Sequence, residues 1–228
     1  MNAQGEKLTV DGDPGPKTQA ALEKFDVGVT VNRQPIDVTL PPSTQIPSGD
    51  FFGARWIGVD LDLLGVDEWN EELNRRYVPE WAKLGLPDYK TLVGNRHAWC
   101  VVRGTKAMRQ VGVNVKGLTA AASSATKYGR KCPFWFGCIL DIQHASGGRH
   151  FCFFLYWIDE AKGICATLDG NRGNKFAVVR TTLAKGSDKL VGGPRWPTGE
   201  PDGQLVTMAQ VLAKYPFLKV GNVGGGTR

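Results

Sequence analysis

The part of the sequence that most strongly decides the fold is GGRHFCFFLYWI, residues 147–158. From Phe151 to Ile158 it is an almost unbroken run of aromatic and aliphatic side chains, which are typical strand formers. A short run of this kind predicts a central β-strand that is buried on both faces. The Gly147-Gly148 pair ahead of it predicts a tight turn. His150 then opens the strand.

Further strand and helix patterns lie on both sides of this run. We predict three more strands and one loop: strands at 139–142, 164–168 and 176–179, and a loop at 169–174. We predict four earlier helices: 56–64 ending at Gly65, 71–84 interrupted near Pro79, 101–111, and 120–128. Helices first and an antiparallel sheet afterwards predict an α+β fold, with N-terminal helices packed on a central antiparallel sheet.

Composition and charge limit the classes of function. No apolar run is long enough to predict a membrane span, and the N-terminus lacks the apolar core of a secretory signal. Residues 1–90 hold 9 Lys and Arg against 15 Asp and Glu, whereas residues 91–228 hold 19 against 7. The basic half either favours an anionic partner or is a solvated face. Because its charges are scattered and no nucleic-acid motif accompanies them, nucleic acid is not expected as a partner.

The five cysteines indicate a reactive thiol rather than a disulfide framework. Their number is odd, and no pair has the C-x-x-C spacing of a zinc or redox site. Cys100 directly precedes the helical pattern 101–111, so we expect it at a helix N-terminus. Unpaired backbone N–H groups and the helix dipole favour the nucleophilic thiolate there. The alternative is a buried structural cysteine.

A cysteine nucleophile needs a histidine base, and the chain has three histidines. His150 begins the most hydrophobic strand, which is a rigid mount for a general base. His97 and His144 have no such position. A polar residue on the next strand should orient the imidazole. Asn171 is our first candidate for that role and Asp169 is the alternative.

The first 26 residues form a unit of their own, and the proline-rich segment 27–50 predicts an extended linker to the main domain, 51–228. This unit resembles the second half of a peptidoglycan-binding repeat, which has a D-G-x-x-G-P-x-T turn before an A-L-x-x-F helix. The matching residues are Asp11, Gly12, Gly15, Pro16, Thr18, Ala21, Leu22 and Phe25. The resemblance implies that the turn residues contact the cell wall, although the first helix of the repeat is missing.

Residues 56–197 resemble a phage-associated branch of the NlpC and CHAP superfamily of papain-like cysteine peptidases and amidases. The matching motifs follow the family's order: W-x-x-x-A-x-x-x-x-G-V-x-E at 56–68, P-W-C at 98–100, G-D-I-V at 137–140, G-H-V-G-F-Y at 149–154, G-G-N-Q at 169–172 and G-Y-R-W-P at 193–197. Three departures stand out. Arg149 replaces the glycine before the histidine, Cys138 replaces the strand aspartate, and Arg172 replaces the glutamine after the asparagine.

The resemblance implies a peptidoglycan hydrolase that cuts an amide bond, with Cys100 as nucleophile, His150 as base and Asn171 as the orienting residue. Four further residues are implied at the substrate: Trp99, Arg149, Asp169 and Arg172. The superfamily's chemistry needs no metal or other cofactor, so none is expected.

The same resemblance implies a phage endolysin, either an endopeptidase or an N-acetylmuramoyl-L-alanine amidase. Such an enzyme is expected to be a monomer without stable membrane insertion. It would stay in the host cytoplasm until a holin releases it to the peptidoglycan. A virion-associated lysin and an injected effector are alternatives with the same chemistry. The competing function is a non-catalytic wall-binding protein on a decayed hydrolase fold, which the departures near the site would explain.

Overall fold

The structure is a computed structural model that describes residues 49–86, 90, 99–145, 147–183 and 188–221. Several predictions fall outside these residues. They are the wall-binding turn (Asp11, Gly12, Gly15, Pro16 and Thr18), the linker up to residue 48, and His97. In the part of the chain that is described, no helix has the length and apolar character needed to cross a membrane.

One open antiparallel sheet and a few helices make up the described chain, which confirms the predicted α+β class. The strands are β1 (Arg130–Lys131), β2 (Ile139–Gln143), β3 (Arg149–Asp159), β4 (Ile164–Arg172), β5 (Lys175–Thr182), β6 (Lys189–Leu190) and β7 (Arg195–Trp196). Their order across the sheet is β1-β7-β2-β3-β4-β5, with β6 paired to β2.

The central strand is β3, as the hydrophobic run predicts. It pairs with β2 on one side and β4 on the other, and its residues from His150 to Tyr156 are all buried. Because both faces of the strand are covered, both sets of alternating side chains can be apolar. This register matters for function, since a slip of one residue would move every side chain of the strand to the opposite face.

Strand β4 is longer than predicted, and the extra residues lie at the candidate site. It runs through 169–172, where the sequence predicts a loop, so that prediction is wrong. Asp169 pairs with Cys152 on β3 and with Ala177 on β5. Pairing on both sides satisfies the backbone groups of this segment, and this outweighs the turn preference of Asp-Gly-Asn. The turn itself is confined to Gly173 and Asn174.

The described α-helices are α1 (Glu71–Ala82), α2 (Trp99–Gln110) and α3 (Met208–Lys214). Short 3-10 turns also occur, at Phe51–Gly53, Arg55–Gly58, Leu61–Leu63 and Ala122–Lys127. The last three fall in or beside the predicted helices 56–64 and 120–128. The predicted continuous helix over 56–64 is wrong because Asp60 adopts a left-handed conformation, with φ of 56°. A residue in that conformation cannot continue a right-handed helix.

Helix α1 runs through Pro79 without a break, so the predicted interruption is also wrong. Its first turn is capped by the Asn70 side chain, which accepts hydrogen bonds from the backbone N–H groups of Glu72 and Leu73. A proline inside a helix costs about 3 kcal/mol. Burial of the apolar face of α1, including Leu73 and Trp81, offsets that cost.

Helix α2 lies against β3 and β4, and all of its residues from Trp99 to Met108 are buried. Two glycines permit the close approach. A Cβ atom on Gly104 would lie 2.2 Å from the ring of Phe151, and one on Gly170 would lie 2.9 Å from the Cα of Cys100. Larger side chains at these positions would push the helix away from the sheet. The first turn of α2 is therefore held directly on β4.

Candidate active site

Cys100 lies in α2, next to Trp99, the first residue of that helix that the structure describes. The residues before Trp99 lie outside the described part of the chain, so the place of Cys100 at a helix N-terminus stays a prediction. Cys100 is only 4% exposed, and Gly170 of β4 packs against its backbone. The thiol is therefore carried on a buried segment of α2 that lies directly on the sheet.

His150 and Asp169 form a buried pair across β3 and β4. The Nε2 atom of His150 lies 2.8 Å from Oδ2 of Asp169, and the residues are 5% and 0% exposed. The sheet register produces this contact, because Asp169 is opposite Cys152 and His150 lies two residues before Cys152. Side chains two residues apart lie on one face of a strand, so His150 reaches Asp169 diagonally.

The Cys100 thiol is a hydrogen-bonding neighbour of the same imidazole. A helix residue and two strand residues thus form one continuous set of contacts, Cys100 to His150 to Asp169. This is the relation between nucleophile, base and orienting group that nucleophilic catalysis requires.

The pair of His150 and Asp169 favours its charged form. Burial opposes a charge on His150, but the carboxylate of Asp169 and the neighbouring Cys100 outweigh it and raise the pKa of His150 to about 10. Burial also opposes a charge on Asp169, yet His150 and Arg172 hold the pKa of that carboxyl below its usual range. At neutral pH the pair is therefore an imidazolium beside a carboxylate, with Cys100 as a neighbour of the imidazolium.

The described residue whose side chain contacts the imidazole of His150 across the sheet is Asp169, our alternative candidate. Asn171 lies two residues further along β4, beyond the point where the register with β5 shifts. The sequence predicts both residues in the loop 169–174, so local preference cannot show which of them faces His150. The apolar run 164–168 ends at Asp169, and only the pairing with both neighbouring strands shows that the strand continues.

Arg149 and Arg172, two of the predicted substrate residues, are held by carboxylates. The Nε atom of Arg149 donates to Oδ1 of Asp141 at 2.7 Å, and its Nη2 atom donates to the hydroxyl of Thr126 at 2.8 Å. Arg172 lies 3.4 Å from Asp188. Both arginines are partly exposed, so they can still face a substrate.

His144 and Trp99 complete the surroundings of the site. Nδ1 of His144 contacts Asp188 at 3.0 Å, and its ring centroid is 5.6 Å from that of His150. Trp99, predicted to meet the substrate, is fully buried and packs edge-on against Tyr77. Its described ring contact therefore belongs to the core, and its place at the substrate stays a prediction.

Two residues near the site have no role in the sequence prediction. Cys152 lies directly opposite Asp169, and burial together with the charge of Asp169 raises the pKa of its thiol well above the usual value. His150, Cys152 and Asp169 form a group whose ligand-type atoms could hold a metal ion. Arg103 is one helical turn after Cys100, fully buried, with its guanidinium 3.9 Å from the ring centroid of Phe176. The sequence held a signal for each residue. Cys152 is two residues after His150, which places both on one face of a strand, and Arg103 is three residues after Cys100, which places both on one side of a helix.

No protein-family model matches the chain, and the searches of curated proteins and of solved structures likewise found no match.

Proposed function

We propose that this protein is a cysteine hydrolase with Cys100 as nucleophile, His150 as base and Asp169 as the orienting residue. The observation that carries the proposal is the buried set of contacts from Cys100 through His150 to Asp169. A charged imidazole beside a thiol favours the thiolate, which is the reactive form. Helix α2 and the paired strands β3 and β4 carry these side chains, so regular elements hold their mutual positions.

In the proposed reaction the Cys100 thiolate attacks an amide carbonyl, and the carbonyl electrons move to the oxygen. Backbone N–H groups in the first turn of α2 can donate to that oxyanion. His150 gives its proton to the leaving amine as the C–N bond breaks, and an acyl-enzyme thioester remains. His150 then takes a proton from a water molecule, which attacks the thioester and releases the acid. Asp169 stabilises the imidazolium in both steps.

The proposed substrate is an amide bond of bacterial peptidoglycan. Support comes from the sequence motifs at 56–197 and from the N-terminal wall-binding pattern. The positive charge of residues 91–228 suits a polymer that carries carboxylates. The buried helix with Cys100 against antiparallel strands with His150 and Asp169 is what a papain-like NlpC or CHAP fold requires, so that fold is part of the proposal. The motifs favour a phage endolysin with endopeptidase or amidase activity.

The decisive experiment is digestion of purified sacculi by the full-length protein, with the products identified by mass spectrometry. We expect one class of new amine and carboxyl ends, which names the bond. Cys100→Ala should abolish product formation without lowering the melting temperature. Cys138→Ala, which changes another fully buried thiol, is the matched control and should retain activity. Activity above about a tenth of wild type in Cys100→Ala would exclude Cys100 as the nucleophile.

The burial of the site supports a second candidate, a non-catalytic wall-binding protein on the same fold. Cys100 and His150 are 4% and 5% exposed, so a substrate reaches them only if the site opens. Iodoacetamide labelling below pH 7 separates the two functions. Rapid labelling of Cys100 that disappears in His150→Ala supports the hydrolase. Uniformly slow labelling, together with cosedimentation with sacculi, supports the binding protein.

A further inference from the structure

Three metal-binding side chains converge on the β3–β4 pair. A ring nitrogen of His150, the Sγ atom of Cys152 and a carboxylate oxygen of Asp169 all lie within 4.8 Å of one another. The sheet register creates the group, because Cys152 is opposite Asp169 and His150 is on the same face of β3 as Cys152. All three residues are buried.

Cys152 has no part in the proposed reaction, and Cys100 does not belong to this group of three. Cys100 contacts the imidazole of His150, but the cluster of donor atoms is completed by Cys152 instead. The proposed base is therefore shared by two thiols, one suited to attack a substrate and one suited to bind a cation. This separation allows the two roles to be tested with different variants.

The chemistry of the donors selects the class of cation. Nitrogen, sulfur and carboxylate ligands suit Zn²⁺ and Co²⁺, whereas Mg²⁺ and Ca²⁺ prefer oxygen alone. Bonds of about 2.0–2.3 Å to a tetrahedral ion place its donors roughly 3.5 Å apart. The His150 and Asp169 atoms, 2.8 Å apart, would thus separate by roughly 0.7 Å, and any longer distance in the group would shorten by roughly 1.3 Å at most. Three protein ligands leave the fourth position to water.

We propose that His150, Cys152 and Asp169 bind a divalent cation of the zinc class, and that this binding excludes catalysis. The cation takes the lone pair of Nε2 and an oxygen of Asp169, so it replaces the hydrogen bond between them. The Nε2 proton of the imidazolium and the thiol proton of Cys152 are both released to solvent as the nitrogen and the sulfur coordinate. His150 then lacks its orienting partner and cannot form the imidazolium. The inhibition rests on the proposed hydrolase function, whereas the binding does not.

Binding is tested by titrating Co²⁺ into chelator-treated full-length protein. We expect visible bands of a four-coordinate site and a sulfur-to-cobalt charge-transfer band from a single thiolate. Cys152→Ala should abolish the charge-transfer band, whereas Cys100→Ala and Cys138→Ala should retain it. Loss of the band in Cys100→Ala with retention in Cys152→Ala would show that the cation binds the reactive thiol, and would overturn the proposal. A titration without any such band in the wild type would also overturn it.

Inhibition is tested by adding Zn²⁺ to a wall-digestion assay and reversing it with a chelator. Wild type should be inhibited, and Cys152→Ala should need at least about ten-fold more Zn²⁺ while keeping its uninhibited rate. Loss of even an outer-shell partner of a metal ligand costs that much affinity. If Zn²⁺ inhibited wild type and Cys152→Ala at the same concentration, the proposal that a cation bound by Cys152 prevents catalysis would be overturned. If chelated wild type were inactive and Zn²⁺ restored it, the cation would be required for activity, and the proposed exclusion would be wrong. The cobalt result still stands if no hydrolysis is found at all, so failure of the function and failure of the site are distinguishable.

Discussion

Asp60 and Asp169 are two aspartates with nearly inaccessible side chains, and their partners differ in kind. Asp60 accepts hydrogen bonds from Tyr77 at 2.6 Å and from Lys106 at 2.6 Å, and it lies 3.1 Å from Arg76. Asp169 meets His150 at 2.8 Å. In both cases burial opposes the charged carboxylate, but the neighbouring cation or imidazolium keeps its pKa below the usual value.

The difference lies in whether the partner can change its charge. Lysine and arginine stay charged across the neutral range. The ion pairs of Asp60 therefore persist and link the 3-10 segment to helices α1 and α2. Histidine gains and loses a proton near neutrality and can pass it to a reacting group. The same residue type therefore stabilises the fold in one place and supports chemistry in the other.

Replacing Asp169 should have the largest effect on activity. In Asp169→Asn the amide can donate to Nε2 of His150, which favours the wrong tautomer and removes the charge that supports the imidazolium. We expect a loss of at least about 10³-fold in kcat, similar in kind to the loss when a triad aspartate is replaced. Wall-digestion kinetics give this number, and Asp60→Asn is the comparison. A similar loss in folded Asp60→Asn would remove the distinction between the two aspartates.

Replacing Asp60 should instead have its largest effect on stability. Asn tolerates the left-handed conformation of this position, so Asp60→Asn removes the charge and leaves the backbone unchanged. Lys106 then loses its buried carboxylate partner and keeps Gln110, whereas Arg76 keeps Asp62 and Glu72. We expect the loss of the Lys106 ion pair to destabilise the fold by about 3 kcal/mol, measured by chemical denaturation. Asp62→Asn is the control, because Asp62 also meets Arg76 but is 29% exposed and should cost less than about 1 kcal/mol. Equal losses would mean that burial does not separate the two carboxylates.

The free energy of unfolding should depend on pH through the proton that His150 binds in the native state. The folded pKa of His150 is about 10, above its ordinary value of 6.5. The native state therefore holds an extra proton between these values, and stability is full below about pH 6.5 and falls toward pH 10. The slope is at most about 1.4 kcal/mol per pH unit.

Melting temperatures across this range should decrease in wild type, and the decrease should be smaller in His150→Gln. The lowered pKa of Asp169 acts in acid instead, where its contribution is lost as the pH falls below about 4. Identical alkaline slopes in the two proteins would show that His150 is not charged in the native state.

The smallest expected effect is that of Asn171→Ala. If Asp169 orients the imidazole, removing Asn171 should lower kcat by less than about three-fold, under about 0.7 kcal/mol of transition-state stabilisation. The same kinetic assay compares it with Asp169→Asn. A loss as large as that of Asp169→Asn would return the orienting role to Asn171, as the family resemblance implies.

Features that depend on local sequence were predicted correctly. The apolar run 151–158 lies in the central strand and is buried from Phe151 to Tyr156, because a strand with both faces covered buries consecutive large side chains. Cys100 lies in a helix because the apolar spacing that follows it has a helical period. His150 lies at the start of β3 because the Gly-Gly turn precedes it. Each of these depends on neighbours within a few residues.

Only the tertiary structure decided which of these residues meet. Asp-Gly-Asn is a turn by its own preference, but pairing with β3 and β5 holds Asp169 in a strand and directs it to His150. Asp60 breaks a helix that the local pattern predicts, because Tyr77, Lys106 and Arg76 bind its carboxylate in that place. Trp99 is core because α2 is covered along its length. Local periodicity reports the shape of a segment, whereas register and burial depend on residues far away in the chain, and these determined the candidate site.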